Sequence, residues 1–390
     1  MKKKMFAVAC VLMMLSTATL MAQEALTVGE VLQQITAHNL QLQAMAGEQQ
    51  ALQAERSAEN TLGETTVEYS PFYMHGTDGL ASSELIVSQE VDFPTRFAAR
   101  RRVANSQSAS EQLQLLTLRR DILLQAKELC IDAIAQQEQQ SLLKMRLAAA
   151  DVLDTMMQRR LSLGDATQLD VNRVRLDRME VQTALAEGTA ALQSTLLELK
   201  ALNGGQPIAR VMADSTLLAV QSLPSVENML EVRSAQAQQD AARQAVRAEQ
   251  QGWLPRLTMG YRRNTDAGMS LHGVLVGGSL PLFSQSGRLR AARLRKQAAA
   301  LQTEEARRQA EAQLQTDICQ AEQLSQALQA YDEPLMQQTL QLLMRAVQLR
   351  QIPITTYFTE ADAIYRKLNE RLILQGNYLK AIARLQKEIL

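Results

Sequence analysis

Most of the chain alternates apolar and polar positions with the period of an α-helix. Residues 27–61 and 95–163 carry this period without an internal proline. In the second run, apolar residues recur at steps of three and four, as in a coiled-coil stripe: Leu115, Leu118, Ile122, Ala126, Leu129 and Ala133. A further helix is predicted at 167–202, where the Asn-Gly-Gly sequence beginning at Asn203 is an expected stop.

The same order of patterns returns after a linker at 207–224. The second half predicts a helix at 225–251, two β stretches at 254–263 and 270–283, a helix from about 287 to 350, a break, and a helix at 355–390. The stripe of its long helix is formed by Leu314, Ile318, Ala321, Leu324, Leu328 and Tyr331. The pattern predicts a duplication, 23–206 and 225–390, in which each repeat holds a helix, a β-hairpin, a very long helix, a tight tip and a return helix.

The helix lengths predict how each repeat packs. A helix of about 65 to 70 residues is roughly 100 Å long, and a return helix of about 36 residues covers half of it. The opening helix of the repeat would cover the rest if it stacked end-on with the return helix. Each repeat is therefore expected to be a two-stranded coil of one continuous and one broken helix.

The β stretches form two hairpins, 64–93 and 254–283, and three of the four strands alternate clearly. One face of the first strand carries Val67, Tyr69 and Tyr73, and the other carries Thr66, Glu68 and Ser70. The next two strands alternate in the same way. In the second strand, one face carries Leu85, Val87, Val91 and Phe93, and the other carries Glu84, Ser88, Glu90 and Asp92. In the third strand, one face carries Leu257, Met259 and Tyr261, and the other carries Arg256, Thr258 and Arg262. The fourth strand is rich in glycine, and its pattern does not decide which residues share a face.

Short strands with one apolar and one charged face are typical of membrane β-barrels. Aromatic residues gather at both ends of the hairpins, as in interfacial girdles: Phe93, Trp253 and Phe283 near the helices, and Phe72, Tyr73 and Tyr261 toward the loops. A soluble hairpin packed on a core is the alternative, but the sequence holds little material to build such a core. Because four strands cannot close a useful barrel, and open edges in lipid leave backbone groups unpaired, the chain is expected to oligomerise.

The N-terminal sequence predicts export from the cytoplasm. Lys2, Lys3 and Lys4 precede an apolar run, and a secretory signal peptide is predicted at 1–22. No other stretch is long and apolar enough for a membrane helix. The formal charge of zero falls to about −3 without those lysines, which argues against nucleic-acid binding. Cys130 and Cys319 lie within helical sequence and are expected to be buried free thiols, although export also permits a disulfide.

At this point the chain resembles the TolC-like outer-membrane factors, the outer-membrane efflux proteins. The resemblance covers nearly the whole mature chain. It rests on "LTVGEVLQQITAHNLQLQA" from Leu26, "RRLSLGDATQLDVNRVRL" at the first tip, and "WLPRLTMGY" and "GGSLPLFSQSGRLRAA" at the second hairpin. Each motif is degenerate alone, and their order and duplication make the match specific.

This resemblance implies a mainly α protein with membrane β-strands. It would form a homotrimer with a 12-stranded barrel in the outer membrane of a Gram-negative bacterium, continued by a 12-helix periplasmic tunnel. The tunnel end would dock on a periplasmic adaptor (membrane fusion) protein served by an inner-membrane transporter of RND, ABC or MFS type, or on a type I secretion system. Transport would be passive, through a gate at the helix tips, with outer-membrane lipid around the barrel.

The tips supply the candidate site residues. The adaptor is expected to dock on Leu163, Gly164, Asp165, Ala166, Gln351, Ile352 and Pro353. Gly164 suits a left-handed helix stop, and Thr167 with Asp170 fits a capping box. In the second tip Gln351 stands in the place of Gly164, with Pro353 as the break and Thr355 or Thr356 as a possible cap.

The family also carries acidic residues just inside the second tip, where they form a constricting ring. Tyr357 and Glu360 fall on those positions, so that a three-fold ring of Glu360 would favour cations. A solvated carboxylate is the alternative for Glu360. Asp170 is the third candidate at the gate, although the favoured interpretation of this residue is a helix cap and a surface charge.

Nothing in the sequence indicates an enzyme or a cofactor. It has no phosphate-binding loop or hydrolase motif, and His38, His75 and His272 lack metal-ligand spacing. The 17 methionines permit copper or silver export, but the helical ones are more simply read as packing residues. An alternative function is a periplasmic coiled-coil adaptor or scaffold of a transport complex. The cargo, whether drug, metal ion, lipid or protein, is left open.

Overall fold

The computed structural model describes residues 25–73, 75, 80–217, 225–266, 269–281 and 285–390. The predicted signal peptide at 1–22 and Phe283 lie outside the described residues. The helices are α1 (Val28–His38), α2 (Leu40–Glu59), α3 (Pro94–Ser162), α4 (Gln168–Leu202), α5 (Leu230–Gln250), α6 (Gln285–Gln329), α7 (Glu333–Gln348) and α8 (Ile354–Leu385). The strands are β1 (Leu26–Thr27), β2 (Thr65–Tyr73), β3 (Leu80–Asp92), β4 (Val211–Met212), β5 (Arg256–Asp266) and β6 (Met269–Ser279).

The long helix of the first half is confirmed as α3, which runs unbroken for 69 residues. Its predicted stripe faces inward: Ile122, Ala126 and Ala133 are buried, and the three leucines are half-buried. Leu123, Cys130 and Ile131 are buried as well, so the packed face is wider than a two-position seam.

The prediction of one long helix at 287–350 is wrong, because the helix is interrupted between α6 and α7. The side chain of Asp332 accepts a hydrogen bond from the Leu335 N–H at 3.0 Å and starts a new helix. Pro334 lies in the first turn of α7, where its missing N–H costs nothing. Inside a continuous helix the same proline would remove a hydrogen bond and clash with the preceding turn. The second stripe is half-buried or buried as expected.

The opening helix also has a break, at Asn39, which separates α1 from α2. The Asn39 side-chain amide donates to the Leu202 carbonyl, at the end of α4, over 2.9 Å. Gly204 follows with a φ of +62°, and a Cβ on it would lie 2.3 Å from the His38 carbonyl oxygen. The ends of α1 and α4 therefore meet. This contact agrees with the expected end-on stacking of the opening and return helices in the first repeat.

The predicted linker is partly structured. Its residues Val211–Met212 form β4, which pairs in parallel with β1 through a hydrogen bond from Leu26 N–H to Arg210 O of 3.0 Å. Asp214 then accepts a hydrogen bond from the Gly29 N–H at 2.9 Å. A carboxylate is stabilised there because the N-terminus of α1 carries partial positive charge. Hydrophobic periodicity gives no signal for so short a strand.

Both hairpins are confirmed, and they join into one antiparallel sheet of order β2-β3-β5-β6. The two hairpins meet through β3 and β5. Val67, Val87, Tyr261 and Val274 stand side by side across the four strands. Within the described strands, β2 and β6 are therefore paired along one edge only.

The chain divides into two compact units that cut across the two repeats. One contains Met1–Leu40, Arg119–Leu223 and Gln313–Leu390, and the other contains Gln41–Leu118 and Pro224–Ala312, in each case as far as residues are described. None of the described helices is both long enough and apolar enough to cross a membrane. Cys130 and Cys319 are both free, as expected, but only Cys130 is buried, and burial raises the pKa of its thiol to about 12. The expectation that Cys319 is buried is wrong.

Candidate functional site

The first tip reverses the chain between α3 and α4 with a left-handed glycine. Gly164 has a φ of +77°, and the Asp165 N–H reaches back to the Arg160 carbonyl over 2.8 Å. This closes the end of α3, since the bond satisfies a carbonyl that the helix itself leaves free. The prediction of Gly164 as a left-handed helix stop is confirmed.

The start of α4 carries the predicted capping box. The Asp170 N–H donates to the Thr167 hydroxyl at 3.2 Å, and the Asp170 carboxylate accepts from the Thr167 N–H at 2.9 Å. The Thr167 hydroxyl also donates to this carboxylate, at 2.7 Å. The pKa of Asp170 is lowered mainly by the hydrogen bond from the Thr167 side chain and, to a smaller extent, by the one from the Thr167 backbone N–H. In this structure Asp170 is a helix cap.

The second tip uses the same backbone geometry without a glycine. The Gln351 N–H donates to the Ala346 carbonyl at 2.8 Å, which matches the Asp165 bond of the first tip. The left-handed position is therefore Arg350, with a φ of 60°, and the alignment of Gln351 with Gly164 is wrong by one residue. Pro353 is the cap of α8, without a side-chain hydrogen bond, so the expected caps Thr355 and Thr356 are not used. Because α8 begins at Ile354, both threonines already lie inside the helix.

Polar contacts connect the two tips. The Arg350 guanidinium lies 2.5 Å from the Asp165 carboxylate, and the Arg160 guanidinium donates to the Val347 and Gln348 carbonyls at 2.8 and 3.1 Å. These two carbonyls lie at the end of α7, where a cation is favoured by the helix dipole. Arg160 and Arg350 thus connect the α3–α4 pair to the α7–α8 pair.

A hydrophobic cluster lies directly behind these contacts. It is formed from all four helices of the tips by Leu153, Met157, Val171, Val174, Val347, Ile354, Tyr357 and Ala361. Tyr357 is only 3% exposed, and its burial raises the pKa of the phenol. Its side chain belongs to this core and presents no surface for a gate. Glu360, one turn along α8 at the other predicted gate position, is exposed.

A second polar cluster lies further from the turns. Arg146 on α3 is within 2.6 Å of Asp177 on α4 and 3.3 Å of Asp362 on α8, and its guanidinium stacks 5.2 Å from the ring centre of Tyr365. Sequence reasoning missed this cluster. The members are separated by up to 219 positions and belong to three helices, so no local pattern connects them.

The remaining tip residues are mostly accessible. Leu163 is 66% exposed and Leu349, its counterpart in the second tip, 58% exposed. Asp165, Gln351 and Pro353 are exposed, and Ala166 and Ile352 are half-buried against the hydrophobic cluster. Two solvent-facing leucines at matching positions give the tips an apolar surface beside the polar contacts.

The strand register separates the sheet into two chemically different faces. One face carries five acidic residues, Glu68, Glu84, Glu90, Asp92 and Asp266, and two basic residues, Arg256 and Arg262. Arg262 contacts Glu84, and Arg256 lies 3.6 Å from Glu90. Within the described strands this face has a formal charge of −3.

The opposite face is apolar over most of its length. It presents Val67, Tyr69, Leu85, Val87, Val91, Leu257, Met259, Tyr261, Val274 and Val276. The register also settles the fourth strand: Val274 and Val276 share this face, and Gly273, Leu275 and Gly277 share the charged one. Val274 is 84% exposed in the single chain, so none of the described residues covers this part of the surface.

The predicted aromatic positions are occupied as follows. Phe93 precedes α3, and Trp253 lies in a short helical turn before β5. Tyr261 lies on the apolar face, whereas the pairing of Phe72 with Ser82 places Phe72 on the charged face. The register shifts between Phe72 and Tyr73, next to the hairpin loop.

These elements make the fold of the TolC-like outer-membrane channels, as the motifs predicted. The structure is similar to the outer membrane protein VceC of Vibrio cholerae, with a TM-score of 0.71, 16% identity, and 93% of this chain and 95% of that chain covered. It is also similar to the open state of the MtrE outer membrane channel of Neisseria gonorrhoeae, with a TM-score of 0.76, 15% identity, and 93% and 88% covered. The predicted fold of the single chain, mainly helical with a β-sheet, is therefore confirmed.

A sequence relative is the cobalt-zinc-cadmium resistance protein CzcC of Cupriavidus metallidurans. The two are 28% identical over 187 residues, which are 45% of this chain and 44% of CzcC. The matched part thus spans less than half of that relative. No protein-family model matches the chain. In the part of the chain that the structure describes, no three His, Cys, Asp or Glu side chains are grouped as a metal site.

Proposed function

We propose that the protein is the outer-membrane exit channel of a tripartite efflux pump or a type I secretion system. It would conduct its cargo passively from the periplasm to the exterior, and the driving force would come from other proteins. The observation that carries this proposal is the four-stranded sheet, with one apolar face, one charged face, and outer strands β2 and β6 that each pair on one side only among the described strands. Lipid is the environment in which such an apolar face is stable.

The open edges support a homotrimer. In lipid every unpaired backbone group costs free energy, so the strands of a membrane sheet must close into a barrel. The four strands alternate in direction, so β6 of one copy can pair with β2 of the next as another antiparallel neighbour. Three copies would make 12 strands, the number that the family resemblance implies.

The tips support docking on a periplasmic adaptor protein. Leu163 and Leu349 supply exposed apolar surface, and Asp165 and Gln351 lie beside them in the two turns. Gly164, Ala166, Ile352 and Pro353 would shape this surface through the backbone. The adaptor would connect the channel to an inner-membrane transporter of the RND, ABC or MFS type.

The same end of the molecule would hold the gate. Glu360 is an exposed carboxylate on α8, and three copies of it around a symmetry axis would concentrate negative potential and favour cations. Tyr357 would act differently from the sequence-based expectation, by holding the helices together from the core. Asp170 would fix the start of α4.

Divalent transition-metal cations are the cargo class that we favour. The similarity to CzcC, a cobalt-zinc-cadmium resistance protein, supports it, and so does the charge of −3 on the polar face of each sheet. That face would line the lumen. A channel needs such a field to attract cations without binding them tightly. Deleting the gene should increase sensitivity to cobalt, zinc or cadmium salts, and unchanged sensitivity to all three would refute this cargo.

Disulfide trapping tests the trimer and the barrel together. Val67 on β2 and Val274 on β6 lie three strand spacings apart within one chain, about 14 Å, too far for a disulfide. V67C would be combined in turn with H272C, V274C or V276C, in a C130S/C319S background. One combination should yield covalent trimers in outer membranes, and the purified protein should conduct ions in planar bilayers. Only monomers in every combination, together with a water-soluble product without conductance, would favour the adaptor alternative.

A further inference from the structure

Arg262 and Arg263 are neighbours in the sequence but lie on opposite faces of the sheet. Arg262 points to the charged face and contacts Glu84. Arg263 stands on the apolar face, directly opposite Leu85 on β3 and His272 on β6. Its guanidinium donates to the Ser270 hydroxyl at 3.3 Å. Within the described strands, the apolar face carries no carboxylate that could neutralise Arg263.

The groups around Arg263 can all bind an anion. The Tyr261 hydroxyl contacts Nδ1 of His272, and the centres of the two rings are 5.9 Å apart. His272 is the direct cross-strand partner of Arg263. Tyr69 lies on the same face, as the partner of Leu85. A guanidinium, an imidazole and a phenol therefore lie together on a surface that is otherwise apolar.

The position of this cluster along the strand is informative. Arg263 is seven residues beyond Arg256, which is about 23 Å along β5, and three residues before its end at Asp266. Strands of a membrane barrel are tilted by about 35–45°, so this length is a rise of roughly 17 Å in an apolar band about 25 Å tall. The valines and Met259 lie on the helix side of the cluster. Arg263 would thus lie in the outer part of the apolar band, where its long side chain can reach the lipid headgroups.

We propose that Arg263, His272 and Tyr261 bind a phosphate group on the headgroup of an outer-leaflet lipid. This inference rests on the proposed function, because it needs the apolar face to lie in the membrane. An arginine at that depth is costly unless an anion or a polar headgroup neutralises it. Its planar guanidinium can donate two parallel hydrogen bonds to phosphate, and the hydrogen-bonded Tyr261–His272 pair can supply one further donor. The occupant is a lipid rather than a free ion because apolar residues adjoin the cluster along the strands.

Lipid retention by the purified protein tests this site. The detergent-solubilised trimer would be incubated with lipid A that carries two phosphates, and retained lipid would be counted by native mass spectrometry. R263Q should reduce retention about tenfold. R262Q, the adjacent arginine on the other face, is the matched control and should retain as much as the unmodified protein. R263K keeps the charge but loses the planar fork, and its retention should fall between the two.

Two further arms identify the ligand. The unmodified protein should retain lipid A without phosphates only weakly. Its retention of that lipid should be no higher than the retention of bisphosphorylated lipid A by R263Q. Inorganic phosphate alone should displace little lipid. Equal loss in R262Q and R263Q, or equal retention of the phosphate-free lipid, would overturn the proposal, and complete displacement by inorganic phosphate would assign the cluster to a free anion instead. Failure of the unmodified protein to form conducting trimers would instead count against the channel itself.

Discussion

The guanidinium of Arg350 lies 2.5 Å from the carboxylate of Asp165, and this ion pair joins the turn of the second tip to the turn of the first. Its two members are 185 residues apart and belong to two equivalent turns: Arg350 is the left-handed residue of the second turn, and Asp165 follows the left-handed Gly164 of the first. The pair is well exposed, so its strength should depend on salt. A tip that must open can use contacts of this modest strength.

A double-mutant cycle measures that contact. D165N and R350Q should each increase the open probability of the channel in planar bilayers, because each leaves one tip less firmly held. Exposed pairs contribute about 0.2 to 1 kcal/mol, so a coupling energy in that range is expected at low salt and a smaller one at high salt. Strictly additive effects at low salt would mean that the pair does not hold the gate.

An exchange of residues at the left-handed position separates backbone strain from the ion pair. G164A should destabilise the first tip by about 1 kcal/mol, since a Cβ there meets no atom within 4 Å and only the φ of +77° opposes it. R350G removes the same backbone strain at the second tip but also removes the ion pair with Asp165. Its net effect on the stability of the tip should therefore be smaller. Hydrogen exchange of the tip amides gives both values. If G164A left exchange unchanged, φ would not limit the stability of the turn.

Substitutions of Tyr357 test its place in the core. Y357A should cost about 3 to 5 kcal/mol, as large-to-small changes of buried aromatic residues do. Y357F keeps the ring and should cost much less. Thermal unfolding of the two variants should therefore differ strongly, with E360A, which changes an exposed neighbour, near the unmodified protein. Similar melting of Y357A and Y357F would show that the ring is not packed as described.

Acid should loosen the start of α4. The pKa of Asp170 is lowered in the folded protein, so its carboxylate stabilises the fold above the ordinary value of 3.8, and this contribution is lost as pH falls through the lower, folded pKa. D170N should cost about 0.5 kcal/mol at neutral pH and should lose less stability than the unmodified protein on acidification. Urea unfolding at pH 7 and below pH 4 compares the two. A parallel loss in both proteins would assign the acid sensitivity to other groups.

The carboxylate of Glu360 should set the ion preference of the gate. E360Q removes its charge and keeps its shape, so the ratio of cation to anion permeability should fall. Reversal potentials in asymmetric salt give that ratio. E198Q, at an exposed carboxylate near the far end of α4, is the control and should leave it unchanged. An unaltered ratio in E360Q would remove Glu360 from the conducting path.

Residues whose roles depend on local geometry were predictable. Gly164 and the Thr167–Asp170 capping box follow from the few residues around them, and the structure has both. The second tip shows the limit of this approach. The sequence places Gln351 at the position of Gly164, whereas the structure has Arg350 in the left-handed conformation. The ion pair with Asp165 helps to offset the strain of that conformation. That compensation comes from a residue far away in the sequence.

Contacts between distant elements were not predictable. The Arg146 cluster draws on three helices, and β4 is too short to produce a pattern without its partner β1. The burial of Tyr357 depends likewise on which helices meet behind the tips. Periodicity reports which side of one element is apolar. It does not report what that side will touch.

The sequence by itself determined the helices, the hairpins and their repetition, because helix period, strand alternation and turn residues are properties of neighbouring positions. Only the tertiary structure decided the strand order, the faces of β6, and the placing of Arg262 and Arg263 on opposite sides of one sheet beside different partners. Pairing between strands far apart in the chain sets the register, and a shift of one residue would exchange the two faces.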